Sequence, residues 1–297
     1  MTRSGSGVPG VLGHAWAPDI VLVLCSVTWG AAFLVAHVAV AHIQPLPFVA
    51  LRFGIAALAV RSLTGARVAR VTRAELGGGI LIALAMLAGY SLQAASLSRI
   101  GSGRVAFICA LYVPLVPLVQ AALRRRLPQP AVWFSVALAC AGMMLLAGGA
   151  GGVFGSGESL ALAAAGGIAA EILLVSTYAP GVDPRQLAMV QCVAVCGMAA
   201  VLAFATGERF PPIAPAWLGC TLGLGIASAA LQVSVNWAMR RVPAARATVI
   251  FATEPVWAGI FGALAGEHMG AAGLVGAALI LAGLLVSPTP SHQPEAP

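Results

Sequence analysis

The sequence predicts an all-α integral membrane protein of ten transmembrane helices, arranged as two inverted five-helix repeats with both termini cytoplasmic. Three observations carry this. Of 297 residues, 60% are apolar and only 8% charged, whereas a soluble domain carries roughly a quarter charged residues. The apolar residues gather into ten runs of about membrane-spanning length. Polar and proline landmarks in the first half recur in the second at a nearly constant offset. A soluble enzyme, a secreted disulfide scaffold and a disordered chain are excluded by composition. Ten spans of about 20 residues take about 200 positions and leave little for a water-facing domain.

The segment Met1–Pro18 is Gly-rich. The apolar run after Asp19 is too long for a signal-peptide core and no small-residue cleavage pattern follows it, so it reads as the first span, Ile20–Ala41. Four more runs follow at Leu46–Leu63, Ala74–Leu97, Ser102–Ala122 and Pro130–Gly148. The stretch Gly148–Gly157 (GGAGGVFGSG) interrupts the pattern with glycines and separates the halves. The second half contributes Glu158–Tyr178, Pro184–Ala205, Pro215–Ala238, Pro243–Ala265 and Met269–Ser287. The domain plan is therefore a repeat over 1–148, a linker over 149–157, a repeat over 158–287 and a polar tail over 288–297.

Arginine supplies all of the basic residues, and its distribution sets orientation. With the N-terminus inside, the inner connections hold Arg3, Arg61, Arg67, Arg70, Arg73, Arg124, Arg125, Arg126, Arg185, Arg240, Arg241 and Arg246. The outer ones hold Arg99, Arg104 and Arg209. Such an excess belongs on the cytoplasmic side. These clusters read as topology markers, so no nucleic-acid partner is expected. The Arg-, Ala- and Gly-rich composition points to a bacterial inner membrane.

Pro45 and Arg52 match Pro184 and Gln191 at an offset of 139, and Leu92-Gln93 matches Leu231-Gln232 at the same offset. Pro114 matches Pro255, and Gly142 matches Gly283, at an offset of 141. Five helices per half is an odd number, so the second half enters the membrane from the opposite side. Inverted repeats of this kind characterise secondary transporters.

The chain resembles the drug/metabolite transporter superfamily in its ten-helix EamA-like permease branch, including its aromatic amino-acid exporters. The resemblance rests on Trp29-Gly30, on Pro45 with Arg52-Phe53, on Glu254-Pro255-Val256 with Gly266-Glu267, and on the closing run Gly276–Gly283. It implies a monomeric bundle around a central cavity and export of small metabolites, commonly amino acids. Two departures stand out: Ala170-Glu171-Ile172 replaces an aromatic-rich sixth helix, and Arg126 occupies the first-half counterpart of Glu267.

Ionisable groups at membrane depth are costly, so each is a functional candidate. Glu254 precedes Pro255, which frees a backbone carbonyl; a substrate-ammonium or proton site and a structural carboxylate are both open readings. Glu171 lies equally deep and favours a cavity role. Arg52 sits about seven residues inside the second span; pairing with a buried Glu or snorkelling outweighs a substrate role. Ser228, Gln232 and Asn236 form one polar stripe at four-residue spacing. Gln93 and Gln232 are gate candidates, with interhelical bonding the alternative. Trp29, Tyr90, Tyr112 and Trp257 suit the wall of an apolar or aromatic substrate site. Trp16, Trp133, Trp217 and Trp237 lie near span ends and read as belt residues. The six cysteines all lie in apolar runs and read as packing residues.

No P-loop, His/Cys metal cluster or nucleophile elbow is present, so no cofactor, metal or enzymatic activity is expected. The sequence thus predicts a transporter of small amphipathic metabolites, most naturally hydrophobic or aromatic amino acids, working by alternating access. The substrate set is Trp29, Tyr90, Gln93, Tyr112, Glu171, Gln232, Asn236, Glu254 and Trp257. Proton-coupled efflux of cationic drugs through the same carboxylates is the competing reading.

Overall fold

The computed structural model describes residues 16–65, 71–123, 125, 127, 129–146, 155–212, 214–268 and 270–286. Most of the glycine linker, the polar tail, and Arg3, Arg67, Arg70, Arg124 and Arg126 lie outside the described residues.

Helix ends follow local chemistry. In the first half the helices are α1 (Ala17–Val40), α2 (Pro45–Thr64), α3 (Arg73–Leu97), α4 (Ser102–Cys109), α5 (Tyr112–Leu123) and α6 (Pro130–Leu146). The second half has α7 (Ser156–Tyr178), α8 (Pro184–Thr206), α9 (Pro215–Met239), α10 (Ala244–Phe251), α11 (Glu254–Leu264) and α12 (Ala271–Val286). Proline opens α2, α6, α8 and α9, where its missing N–H costs nothing. Thr72 and Glu75 form a capping box at the start of α3. The paired helices α2 and α8 both end on a left-handed glycine, Gly65 and Gly207.

Eight stretches are long and apolar enough to cross a membrane; α4 with α5 makes one of them and α10 with α11 another. Two shorter apolar helices, Pro130–Leu145 and Ala271–Gly283, accompany them. Among the described residues there is no strand. This is a multi-pass, all-helical membrane protein.

The fourth and ninth apolar runs, expected as single helices, are each broken in two. The first break lies at Ala110–Leu111 and the second at Ala252–Thr253. Each is followed within a few residues by a matched proline, Pro114 or Pro255. A proline cannot donate to the carbonyl four residues before it, which is Ala110 in one repeat and Phe251 in the other. Val113 N–H donates to the Ala110 carbonyl instead, at 3.0 Å, closing a tighter turn.

Contacts between helix ends define two faces. On one, the ends of α1 and α3 meet through His37 Nδ1 and the Leu97 carbonyl at 2.7 Å. Beside them Arg104 pairs with Glu158 at 3.1 Å. Glu267 accepts from Ser102 N–H (3.0 Å), Ser102 Oγ–H (2.7 Å) and Gly103 N–H (3.1 Å) at the start of α4. Burial acts to raise the Glu267 pKa, but these three donors, with His37 near, hold it below the ordinary carboxylate value. On the other face, Arg246 pairs with Asp19 at 2.7 Å.

Inside the bundle α3 lies along α7, α2 along α8, and α6 along α12. Small residues permit the close crossings: a Cβ on Gly167 would sit 2.5 Å from the Gly89 nitrogen. Ser135 Oγ–H donates to the Gly283 carbonyl at 2.6 Å and ties α6 to α12. Trp217, expected in the interfacial belt, is instead buried and donates Nε1–H to the Pro212 carbonyl at 3.2 Å. Trp16 and Trp133 are exposed. The six cysteines are free thiols, three of them buried.

The α3–α7 crossing sets a stability prediction. Gly167→Ala lowers the thermal midpoint in detergent, with about 1–3 kcal/mol lost to the forced separation. Gly166→Ala, where a Cβ meets nothing within 4 Å, leaves it unchanged or slightly higher. Equal midpoints for the two variants contradict this packing.

Candidate functional site

A central cavity lies among α1, α2, α3, α5, α7, α9, α10 and α11. Its volume accessible to the centres of water-sized spheres is about 40 Å³. Aromatic edges form part of the wall: Trp29 meets Phe251 edge-on at 5.0 Å and Tyr90 meets Phe53 at 5.1 Å.

Three charged side chains line it: Arg52 from α2, Glu171 from α7 and Glu254 from the first residue of α11. They are 4%, 7% and 9% exposed. At such depth charges are normally paired, yet the ion pairs among the described residues all lie elsewhere. Neutral groups hold each charge instead. Arg52 Nε–H donates to Ser228 Oγ at 2.8 Å. Its guanidinium carbon lies 5.1 Å from the Tyr90 ring centre and 5.5 Å from that of Phe53, within cation–π range. Glu171 Oε1 accepts from Gln232 Nε2–H at 3.4 Å. Glu254 Oε2 accepts from Tyr112 O–H at 3.2 Å.

Each charge is thus only partly satisfied. The terminal nitrogens of Arg52 donate to no group among the described residues, and the second oxygen of each carboxylate accepts from none. All three residues line the same cavity, so a ligand there meets one guanidinium with free terminal nitrogens and two carboxyl groups.

The breaks explain how Tyr112 and Glu254 come together. Tyr112 opens α5 just after one break and Glu254 opens α11 just after the other. Near the second break Ser26 and Thr253 hydroxyls bond at 2.9 Å, joining α1 to the turn.

Of the residues singled out in the sequence, the cavity gathers Trp29, Tyr90, Gln93, Tyr112, Glu171 and Glu254. Gln232 does not line it and stands behind Glu171. Asn236 also lies outside. Its Nδ2–H donates to Gln191 Oε1 at 2.8 Å, and Gln191 Nε2–H returns a bond to Asn236 Oδ1 at 3.4 Å. Trp257 packs α11 on α1; a Cβ on Gly30 would sit 2.5 Å from its Cβ. Arg52 is the wall residue that sequence reasoning left out of the substrate set. Its signals were a depth of seven residues inside the second span and a polar repeat partner, Gln191. The pairing with a buried Glu that the sequence suggested is not formed.

The EamA-like transporter family matches the chain twice, over residues 16–148 and 155–288. The chain belongs to that family, as two repeats within the drug/metabolite transporter superfamily, and is a membrane transporter. An uncharacterised transporter of Archaeoglobus fulgidus is 27% identical over 269 residues, covering 90% of this chain and 84% of the relative. A protein of known crystal structure shares the fold, with a TM-score of 0.67 at 19% identity over 91% of this chain and 96% of its own.

The Gln191–Asn236 pair yields a second prediction. Asn236→Ala strands a buried amide and costs about 1–3 kcal/mol of stability, read as a lower thermal midpoint. Transport per folded molecule stays near wild type, because the pair does not face the cavity. A variant of normal stability with tenfold lower flux contradicts that assignment.

Proposed function

We propose that this protein exports zwitterionic metabolites, foremost amino acids with hydrophobic or aromatic side chains, by alternating access around the central cavity. The observation that carries the reading is Arg52 in the same wall as Glu171 and Glu254. A guanidinium with free terminal nitrogens suits an α-carboxylate in a bidentate geometry. The carboxylates suit an α-ammonium, and the edges of Trp29, Tyr90 and Phe251 suit an apolar side chain. No cofactor enters this reading.

The same reading has ten spans, with α6 and α12 as the short fifth and tenth, both termini in the cytoplasm and a monomer in a bacterial inner membrane. Its domain plan is two repeats, 1–148 and 158–287, joined by the linker 149–157 and followed by the tail 288–297. Gln93 lies beside the charges and contributes to substrate orientation. Gln232 orients Glu171 from behind.

The excess of carboxylate over guanidinium favours the competitor, proton-coupled efflux of cationic drugs. Arg52 weighs against it, since a fixed cation in the wall repels a cationic cargo.

Uptake by proteoliposomes separates the two. Labelled phenylalanine, tryptophan, leucine, threonine and a lipophilic cation are supplied with and without a pH gradient. The amino acids are expected to enter and the cation to be excluded. Arg52→Gln and Glu254→Gln should each cut phenylalanine flux by about 10-fold or more, the effect of losing a charge-assisted hydrogen bond, without unfolding the bundle. Entry of the cation alone, rising with the pH gradient, overturns the reading.

A further inference from the structure

The two halves exchange carboxylates at opposite faces of the bundle. At one face Glu208, just past the end of α8, accepts from the Leu46 backbone N–H at 2.9 Å. In return Gln44, at the N-cap of α2, accepts through Oε1 from the Arg209 N–H at 2.7 Å. At the other face Glu75, in the first turn of α3, accepts through Oε1 from the Asp183 N–H at 3.2 Å. Its Oε2 accepts from Thr72 N–H at 2.8 Å and Thr72 Oγ–H at 2.9 Å.

These contacts are counterparts under the inverted repeat. Gln44-Pro45 and Asp183-Pro184 correspond at the offset of 139, and they begin the second helix of each half. In each half, a carboxylate next to the connection between the second and third helices reaches the N-terminus of the other half's second helix. The first backbone N–H groups of a helix have no partner within it, and the helix dipole favours an anion there. A carboxylate on such a group makes a charge-assisted bond. At a bundle face, both partners return to water when the bond breaks, so the bond is reversible. The ion pairs Arg246–Asp19 and Arg104–Glu158 are a second couple across the repeat, since Asp19 and Glu158 correspond at the offset of 139. These, however, join the first helix of one half to the fourth of the other. The three bonds accepted by Glu267 also tie helix ends, at one face. Glu208 and Glu75 are the couple that holds the second helices.

We propose that Glu208 and Glu75 are the paired latches of the transport cycle, Glu208 closing one face of the bundle and Glu75 the other. Each closes its face by holding the opposite half's second helix, and the cycle releases one while the other stays shut. The two are positioning residues: neither lines the cavity. The inference rests on alternating access but not on the identity of the substrate.

Spin-label distances test it on the full chain in lipid nanodiscs, without any substrate. Exposed His42 and Pro212 report the Glu208 face, and exposed Arg73 and Pro180 report the Glu75 face. Glu208→Ala should lengthen the 42–212 distance and leave 73–180 short. Glu75→Ala should do the reverse. The ratio of open to closed forms should rise by about 10-fold or more at the affected face. The Gln variants, which keep one acceptor oxygen, should fall between. A thermal midpoint within a few degrees of wild type confirms folding. If either Ala variant unfolds, its Gln variant carries the same test. Unchanged distances in folded variants overturn the proposal, as does lengthening at both faces in either one, which marks a simple brace. Flux measured in parallel keeps the two readings apart. Lost wild-type flux with shifting distances sinks the transport reading alone; normal flux with fixed distances sinks the latches alone.

Discussion

Holding unpaired charge inside a membrane bundle is the constraint from which the rest of the architecture follows. Arg52, Glu171 and Glu254 are buried without a direct ion pair among them. Burying bare charges in hydrocarbon is costly, so each needs a polar neighbour that does not neutralise it. The stripe on α9 meets part of that need. Ser228 holds Arg52 and Gln232 holds Glu171. One turn further on, Asn236 fastens α9 to Gln191 of α8. Tyr112 serves Glu254 in the same way. Neutral donors orient a charge while leaving its remaining valences for a ligand, which a salt bridge would consume.

The helix breaks are the second consequence of the sequence. Tyr112 and Glu254 approach within 3.2 Å because two matched interruptions bring the starts of α5 and α11 to the same depth. Irregular backbone at membrane depth is tolerated where it lies buried in protein or lines a cavity. Discontinuous helices in corresponding positions of two inverted halves are how many secondary transporters build a midplane site. Here prolines at equivalent places supply the interruption in both halves.

Much of this was legible in the sequence, and the reasons differ by residue. Spans were readable because hydropathy is a local property. The repeat was readable because Pro45/Pro184 and Gln93/Gln232 kept their register. Six of the cavity-lining side chains were readable as polar or aromatic groups at mid-depth. The break near Pro114 was not foreseen, because the apolar run continues through it and hydropathy is blind to backbone hydrogen bonding. The setting of Arg52 depends on Ser228, 176 residues away, which no local pattern ranks above pairing with a Glu. Glu208 and Glu75 escaped the repeat search for a third reason. They are equivalent in what they touch but not in register, since 75 plus 139 falls on Ala214.

The central claim is that the cavity reads both ends of a zwitterion. Calorimetric binding of phenylalanine, phenethylamine and 3-phenylpropionate to the purified protein tests it most directly. The three ligands share one side chain and differ only in the charges they present. Phenylalanine should bind at least about 10-fold more tightly than either single-charge analogue, and Arg52→Gln should erase its advantage over the amine alone. Equal or tighter binding of phenethylamine to the wild-type protein would contradict the claim and assign Arg52 a purely structural part.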